Sequence, residues 1–315
     1  MTIQEIYNLA IQLGRQNDFR SSAQIERGLV QAKKHYQKLS PLEQQLFDQE
    51  RLTNPYSDTR ILCGNPRKLV KKILVGIDID GPELTLTQQF GDIDLVLAHH
   101  PRGVALAGLD DVMQLQVDLL ANYGVPINIA EKLLRKRISE VARGLSAGNH
   151  NRVVDQANLM GINLMCVHTP TDNLVAKFLE QALIKKAAPY NLGELLELLL
   201  EIPEYQAAVK LGLGPQIFVG SKDNRVGKIA LTEITGGTEG AAETYQRLAD
   251  AGLGTIVGMH ISEKHREEAE KAHINVVIAG HMSSDSLGLN LMLDQLEKQG
   301  MAIVPCSGLT RVSRL

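Results

Sequence analysis

Two adjacent histidines, His99 and His100, follow the apolar run Leu95-Val96-Leu97-Ala98, and a third, His281, follows Val276-Val277-Ile278-Ala279-Gly280. Imidazoles placed where buried strands emerge are a common way for a protein to build a metal site. Each run is continuously apolar and rich in branched residues, the pattern of a short strand buried on both faces. The ring nitrogens are therefore expected at one rim of a sheet, where open parallel sheets place their ligands. Neighbours on a regular strand point to opposite faces. At a strand end the chain can turn, and Pro101 holds His100 extended, so that each imidazole can face a different ion; the alternative is an accidental pair on a loop.

His168 and Asp172 stand just past another apolar run, Asn163-Leu164-Met165-Cys166-Val167. A carboxylate there can ligate a divalent ion, but capping a helix that begins near Leu174 is the expected role of Asp172 on sequence alone. His281 and Asp285 are four apart, the spacing that brings two side chains onto one helical face. The alternative is a helix start capped by Ser283 or Ser284. Together, three strand ends deliver His99 and His100, Asp172, and His281 and Asp285. That set suffices for two divalent ions with open coordination positions and one bridging carboxylate. Water or hydroxide held between them suits attack on phosphorus or carbon.

The turn Thr235-Gly236-Gly237-Thr238-Glu239-Gly240 joins a strand to a helix. Its glycines could turn amides toward an anion, yet it lacks GxGxxG or P-loop spacing, so a tight turn is expected, with Thr238 and Glu239 as candidate substrate contacts. His260, His265 and His273 read as surface or packing residues, and His150 as a loop or helix-start residue.

These side chains must be held by a particular order of elements. Residues 1 to about 50 show helical periodicity, and Ser40-Pro41-Leu42-Glu43 carries a capping Ser, Pro at the first helical position and Glu at the third. Residues 51–70 read as an irregular connector that separates this helical prefix from the rest. From Lys71, short apolar runs alternate with helical stretches, which implies parallel pairing and an α/β layered fold. The expected organisation is a helical extension and connector over 1–70, a first α/β unit over 71–187, a helical bridge over 188–226 and a second α/β unit over 227–315.

The chain has 315 residues, 44% of them hydrophobic, and a net charge of −3 without basic tails or acidic blocks. Nucleic acid and membrane surfaces are therefore not expected partners. Cys63, Cys166 and Cys306 are too scattered for a disulfide framework or a Cys-x-x-Cys clip. The segment beginning Met1-Thr2-Ile3 carries no secretory pattern, and the leucine-rich stretch Leu195–Leu200 is broken by Glu197, well short of the roughly 20 apolar residues of a membrane span. A cytoplasmic location is the expectation.

The stretches Ile73-Leu74-Val75-Gly76-Ile77-Asp78, Leu95–Pro101, His168–Asp172 and Gly280–Asp285, in this order, resemble the Nif-three-like family, also called DUF34 and labelled GTP cyclohydrolase I type 2. The resemblance spans roughly Lys71 to Ser307. It implies two interlinked α/β units, a dinuclear centre in a cleft and a homo-hexamer built as a trimer of dimers. By position, the ligands would be His99, His100, Asp172, His281 and Asp285, holding two divalent ions among Zn, Fe, Mn, Ni and Co. Asp285 stands where the family usually has Glu, one methylene longer. Extra sequence over Val125–Gly148 is expected as an added helix over the cleft, and the prefix before Lys71 is absent from most relatives.

The resulting expectation is a hydrolase-like protein using a metal-bridging hydroxide on a small molecule such as a nucleotide, phosphoester or cyclic amide. A non-catalytic metal-handling or partner-binding scaffold is the alternative; nucleotide binding without metal rests only on the glycine turn.

Overall fold

The computed structural model describes the backbone of residues 1–315 and all side chains except those of Lys186 and Ala187. Nine strands form two sheets: β1 (Arg60–Cys63), β2 (Lys72–Gly76), β3 (Leu95–Ala98), β4 (Leu164–Cys166), β5 (Gln216–Val219), β6 (Lys228–Glu233), β7 (Leu253–Gly258), β8 (Asn275–Ile278) and β9 (Ala302–Cys306). The first sheet runs β1-β4-β3-β2-β9 and the second β5-β8-β7-β6. In each, one edge strand is antiparallel, β1 on β4 and β5 on β8, and the remaining pairs are parallel. The fold is α/β, as the alternating runs imply, and β5-β8-β7-β6 repeats the order of β1-β4-β3-β2.

The central strands are buried on both faces. On β2, Ile73 and Val75 join one apolar cluster while Leu74 joins another, and on β3 Leu95 and Leu97 are likewise separated from Val96 and Ala98. This double burial is why these runs read as apolar throughout. Among the described residues, no helix is long and apolar enough to cross a membrane.

Three features depart from the sequence reading. The connector contains β1, a short strand whose four residues lie too close to turn signals to show a period. The bridge contains β5, which has exposed Gln216 and Phe218 alternating with half-buried Ile217 and Val219. The third departure is β9: although it follows the second sheet in sequence, it returns to pair with β2, Gly76 opposite Cys306. The prefix is also part of the core. Its first helix, Ile3–Asn17, buries Ile3, Ile6 and Ala10 in the cluster that holds Met165, Leu289, Met292 and Leu293.

The segment Val125–Gly148 does form a helix, Ile127–Ser146. It packs Ala130 and Leu134 into the cluster formed with Ile256 and Val276 of the second sheet, and Arg137 Nε donates to the Glu239 carbonyl at 3.1 Å.

Candidate metal centre

The ladder between β2 and β3 continues past Ala98. His99 N donates to Gly76 O at 2.9 Å and His100 N to Ile77 O at 3.0 Å, so both histidines are held against the emerging end of β2. β4 leads into the helix Thr169–Leu179, whose first turn carries Asp172. β8 leads into the helix His281–Lys298, which starts at His281 behind Gly280. The ligand-type residues therefore meet where the carboxyl ends of two sheets face each other, rather than along one rim. Asp172 does not cap a helix at Leu174, and neither Ser283 nor Ser284 is the cap of the later one, because both helices begin earlier than the sequence suggested.

The two helices cross in close contact. A Cβ added at Gly288 would meet the Thr171 carbonyl oxygen at 2.4 Å, so glycine is what lets the Asp285 helix reach the Asp172 helix.

All five sequence candidates converge. His99 Nε2 stands 3.4 Å from Asp172 Oδ1 and 3.4 Å from Asp285 Oδ1. His100 Nε2 stands 3.4 Å from Asp285 Oδ2, and His281 Nε2 3.6 Å from that same oxygen. These separations are too long for hydrogen bonds. Two donors held at 2.0–2.1 Å from one ion in tetrahedral geometry stand about 3.4 Å apart. His99 Nε2, Asp172 Oδ1 and both Asp285 oxygens are buried without a hydrogen-bond partner. A buried carboxylate with neither oxygen satisfied is costly, and a cation between these donors removes that cost. The residues present fit metal ions, and three sets could hold one: His99, Asp172 and Asp285; His100, His281 and Asp285; and His99, His100 and His168.

The imidazoles are oriented from behind. His99 Nδ1 donates to Val167 O at 3.0 Å, His100 Nδ1 to Asp78 Oδ1 at 2.8 Å and His168 Nδ1 to Asp58 Oδ2 at 2.8 Å. With Nδ1 carrying the proton, each Nε2 presents a lone pair to the centre, the arrangement usual for metal-ligating histidine. Asp58 also accepts from Thr169 Oγ1 at 2.6 Å, which ties the start of the Thr169–Leu179 helix to the segment before β1.

Electrostatics separates the two carboxylates. Burial alone would push Asp285 up, but the imidazoles of His99, His100 and His281 hold it well below the ordinary carboxylate range. Burial, with Asp285 adding repulsion, lifts Asp172 to about 6. His168 is opposed by burial yet raised to about 9 by Asp172 and Asp58. His281 is lowered to about 4, chiefly by burial, with His260 and His100 adding to it.

The second sheet supplies the facing wall. Glu233, Thr235, Thr238, Glu239, Met259 and His260 line the cleft opposite His168, Asp172, His281 and Asp285. The glycine turn is a tight structural turn: Gly236 and Gly237 have φ of 96° and 92°, and Gln116 Nε2 donates to the carbonyls of Gly236 and Thr238 at 2.8 and 2.7 Å. Glu233 is raised to about 7 by burial and by the neighbouring Glu239. His260 is not merely a surface residue, since its ring centroid lies 4.9 Å from that of His281. His265 is a packing residue, as expected, with Nε2 donating to Gly240 O at 3.0 Å.

The family model for Duf34/NIF3 (NGG1p interacting factor 3) matches residues 138–306, more than half of the chain. The chain belongs to the Duf34/NIF3 family. Among solved structures it is similar to a NIF3 superfamily protein from Sphaerobacter thermophilus, at 26% identity over 80% of this chain and 92% of that one, with a TM-score of 0.73. It also matches reduced HcgD from Methanocaldococcus jannaschii, at 15% identity over 78% of this chain and 87% of that one, with a TM-score of 0.48. No curated protein matches it.

In this NIF3-family chain, the residues that sequence reading left out of its ligand set are His168, Asp58 and Asp78. His168 carried a usable signal, because His168 and Asp172 share the four-residue spacing of His281 and Asp285 and both pairs open the helix that follows a strand. Asp78 ends one of the stretches that carry the resemblance, but nothing local marks it as the partner of His100. Asp58 sits in the segment read as irregular, 110 residues from its partner His168.

Proposed function

We propose that the chain is a dinuclear metal protein with hydrolase-like chemistry on a small-molecule substrate. The observation that carries this reading is Asp285, buried and unpartnered, with Oδ1 facing His99 and Oδ2 facing His100 and His281. His99, Asp172 and Asp285 would hold one ion, and His100, His281 and Asp285 the other, with His168 beside the first. The mixed imidazole and carboxylate set suits divalent first-row transition ions. When bound, such ions supply Lewis-acid polarisation of the substrate and activation of water.

The chain's own residues do the remaining work. Asp58, Asp78 and the Val167 carbonyl fix the imidazoles, so little reorganisation is needed on loading. Glu233, raised to about 7, can take up or release a proton near neutral pH on the cleft wall. Thr238, Glu239 and His260 line that wall where a substrate would lie. Nucleotides, phosphoesters and cyclic amides share the electrophilic centre bearing oxygen that this arrangement accommodates. Assembly as a homo-hexamer in the cytoplasm belongs to the same reading and rests on family likeness, with the free cysteines in keeping with a reducing compartment.

Elemental analysis of protein purified without chelator or affinity metal, followed by a screen of those three substrate classes, tests the proposal. About two ions per chain and turnover abolished by chelation are expected. Tight metal with no turnover across the screen would favour a metal-handling protein, and no uptake on reconstitution would overturn the centre itself.

A further inference from the structure

A groove of about 360 Å³ opens beside the cleft, and Met259, His260 and His281 belong to the walls of both. Its volume falls within the range of small-molecule sites, roughly 300–1,000 Å³. Leu211, Leu213, Phe218, Ile261 and Met282 make the rest of the surface largely apolar. Leu213 is 63% exposed and Phe218 46% exposed, a grouping of uncovered large side chains at the mouth of a concavity.

The polar groups of the groove are unequally engaged. Glu204 is committed, accepting from both terminal guanidinium nitrogens of Arg314 at 2.7 and 2.6 Å. Ser283 Oγ is not: its residue is only 7% exposed, and the hydroxyl has no hydrogen-bond partner. A buried hydroxyl in that state is destabilising until something bonds to it. Ser283 also lies two residues after His281, so a ligand bonded to it already stands next to the proposed metal set.

We infer that this groove binds the apolar body of the substrate, an alkyl or aryl group carrying an oxygen head, with Ser283 bonded to the ligand and the head passing His281 into the cleft. The inference rests on the proposed metal centre for the position of the head, but not for the groove. It narrows the substrate from any electrophilic small molecule to an amphiphilic one. A second copy of the chain would cover Leu213 and Phe218, but it would explain neither the deep unpartnered Ser283 nor the wall shared with the cleft.

The test is a length series of metal-binding ligands, acetohydroxamate, butanohydroxamate and hexanohydroxamate, titrated calorimetrically into the metal-loaded full chain. Each buried methylene should tighten binding about fourfold. Leu213→Arg and Phe218→Arg, both at exposed positions, should flatten the series and leave acetohydroxamate unchanged. A flat series in the native chain, or a series that both variants preserve, overturns the inference; so does a flat series accompanied by a fall in molar mass for Leu213→Arg in light scattering, which would put a second copy on the groove. Metal content measured on the same samples separates failure of the centre from failure of the groove. In metal-free chain labelled at the methionine methyls, 1-hexanol should shift the Met259 and Met282 signals. Movement there without bound metal retains the groove and removes the centre, and no movement overturns the groove whatever the metal content.

Discussion

His168 Nδ1 lies 2.8 Å from Asp58 Oδ2, and that one carboxylate oxygen also accepts from the Thr169 hydroxyl at 2.6 Å. Asp58 thus fixes both the ring of a candidate ligand and the start of the helix that carries Asp172. Asp58→Asn should weaken metal binding 10- to 100-fold, the usual effect of removing a ligand's orienting partner. Stability should fall by about 1–3 kcal/mol as well, through a buried bond poorly replaced. Competition against a chromophoric chelator measures the first effect, and an unchanged affinity would show that His168 does not serve the centre.

Asp285 is shared between two sets of imidazoles, whereas His281 belongs to one. Asp285→Ala should therefore strip both ions, while His281→Ala should leave about one per chain on His99, Asp172 and Asp285. Equal loss in the two variants would contradict the bridging role.

In the metal-free chain, Glu233 should make stability fall as pH rises. Its ordinary value is 4.5 and burial beside Glu239 raises it to about 7, so the folded state holds a proton that the unfolded state releases. The contribution is fully present below 4.5, shrinks through the interval and is gone above 7. Glu233→Gln should remove that slope, on the order of 3 kcal/mol across the window. Thermal unfolding of both proteins in chelator from pH 4 to 8 reads the difference, and parallel curves would sink the assignment.

Gly288→Ala should separate the two ligand-bearing helices. Its Cβ would stand 2.4 Å from the Thr171 carbonyl oxygen, which is backbone and must move with its helix. Overpacking of this kind destabilises by about 1–3 kcal/mol. Because Thr171 precedes Asp172, metal affinity should drop in the same variant. A loss of stability with native metal affinity would show that the centre tolerates the displacement.

Much of this arrangement was legible in the sequence. Strands buried on both faces announce themselves as unbroken apolar runs, which is why β2, β3, β4, β7 and β8 could be placed and the side chains at their ends singled out. The four-residue spacing of His281 and Asp285 predicted a shared helical face, and both do face the cleft. What could not be read was long-range. β1 and β5 are short edge strands defined by their neighbours, and the pairing of β9 with β2 spans most of the chain. Asp58 and Asp78 became meaningful only once folding set them behind His168 and His100. The capping role expected of Asp172 failed because the helix begins at Thr169, five residues before Leu174, the start that periodicity suggested.

The position of β9 has a consequence for how the molecule is made. β2 pairs with β3 on one side and with β9 on the other, so while the chain is still emerging from the ribosome β2 is an open edge, with unpaired amides and carbonyls ready to recruit a foreign strand. The sheet that bears His99 and His100 closes only when Ala302–Cys306 has been synthesised. A chain cut before Ala302 would thus carry an aggregation-prone edge on β2, in the sheet that bears the histidines.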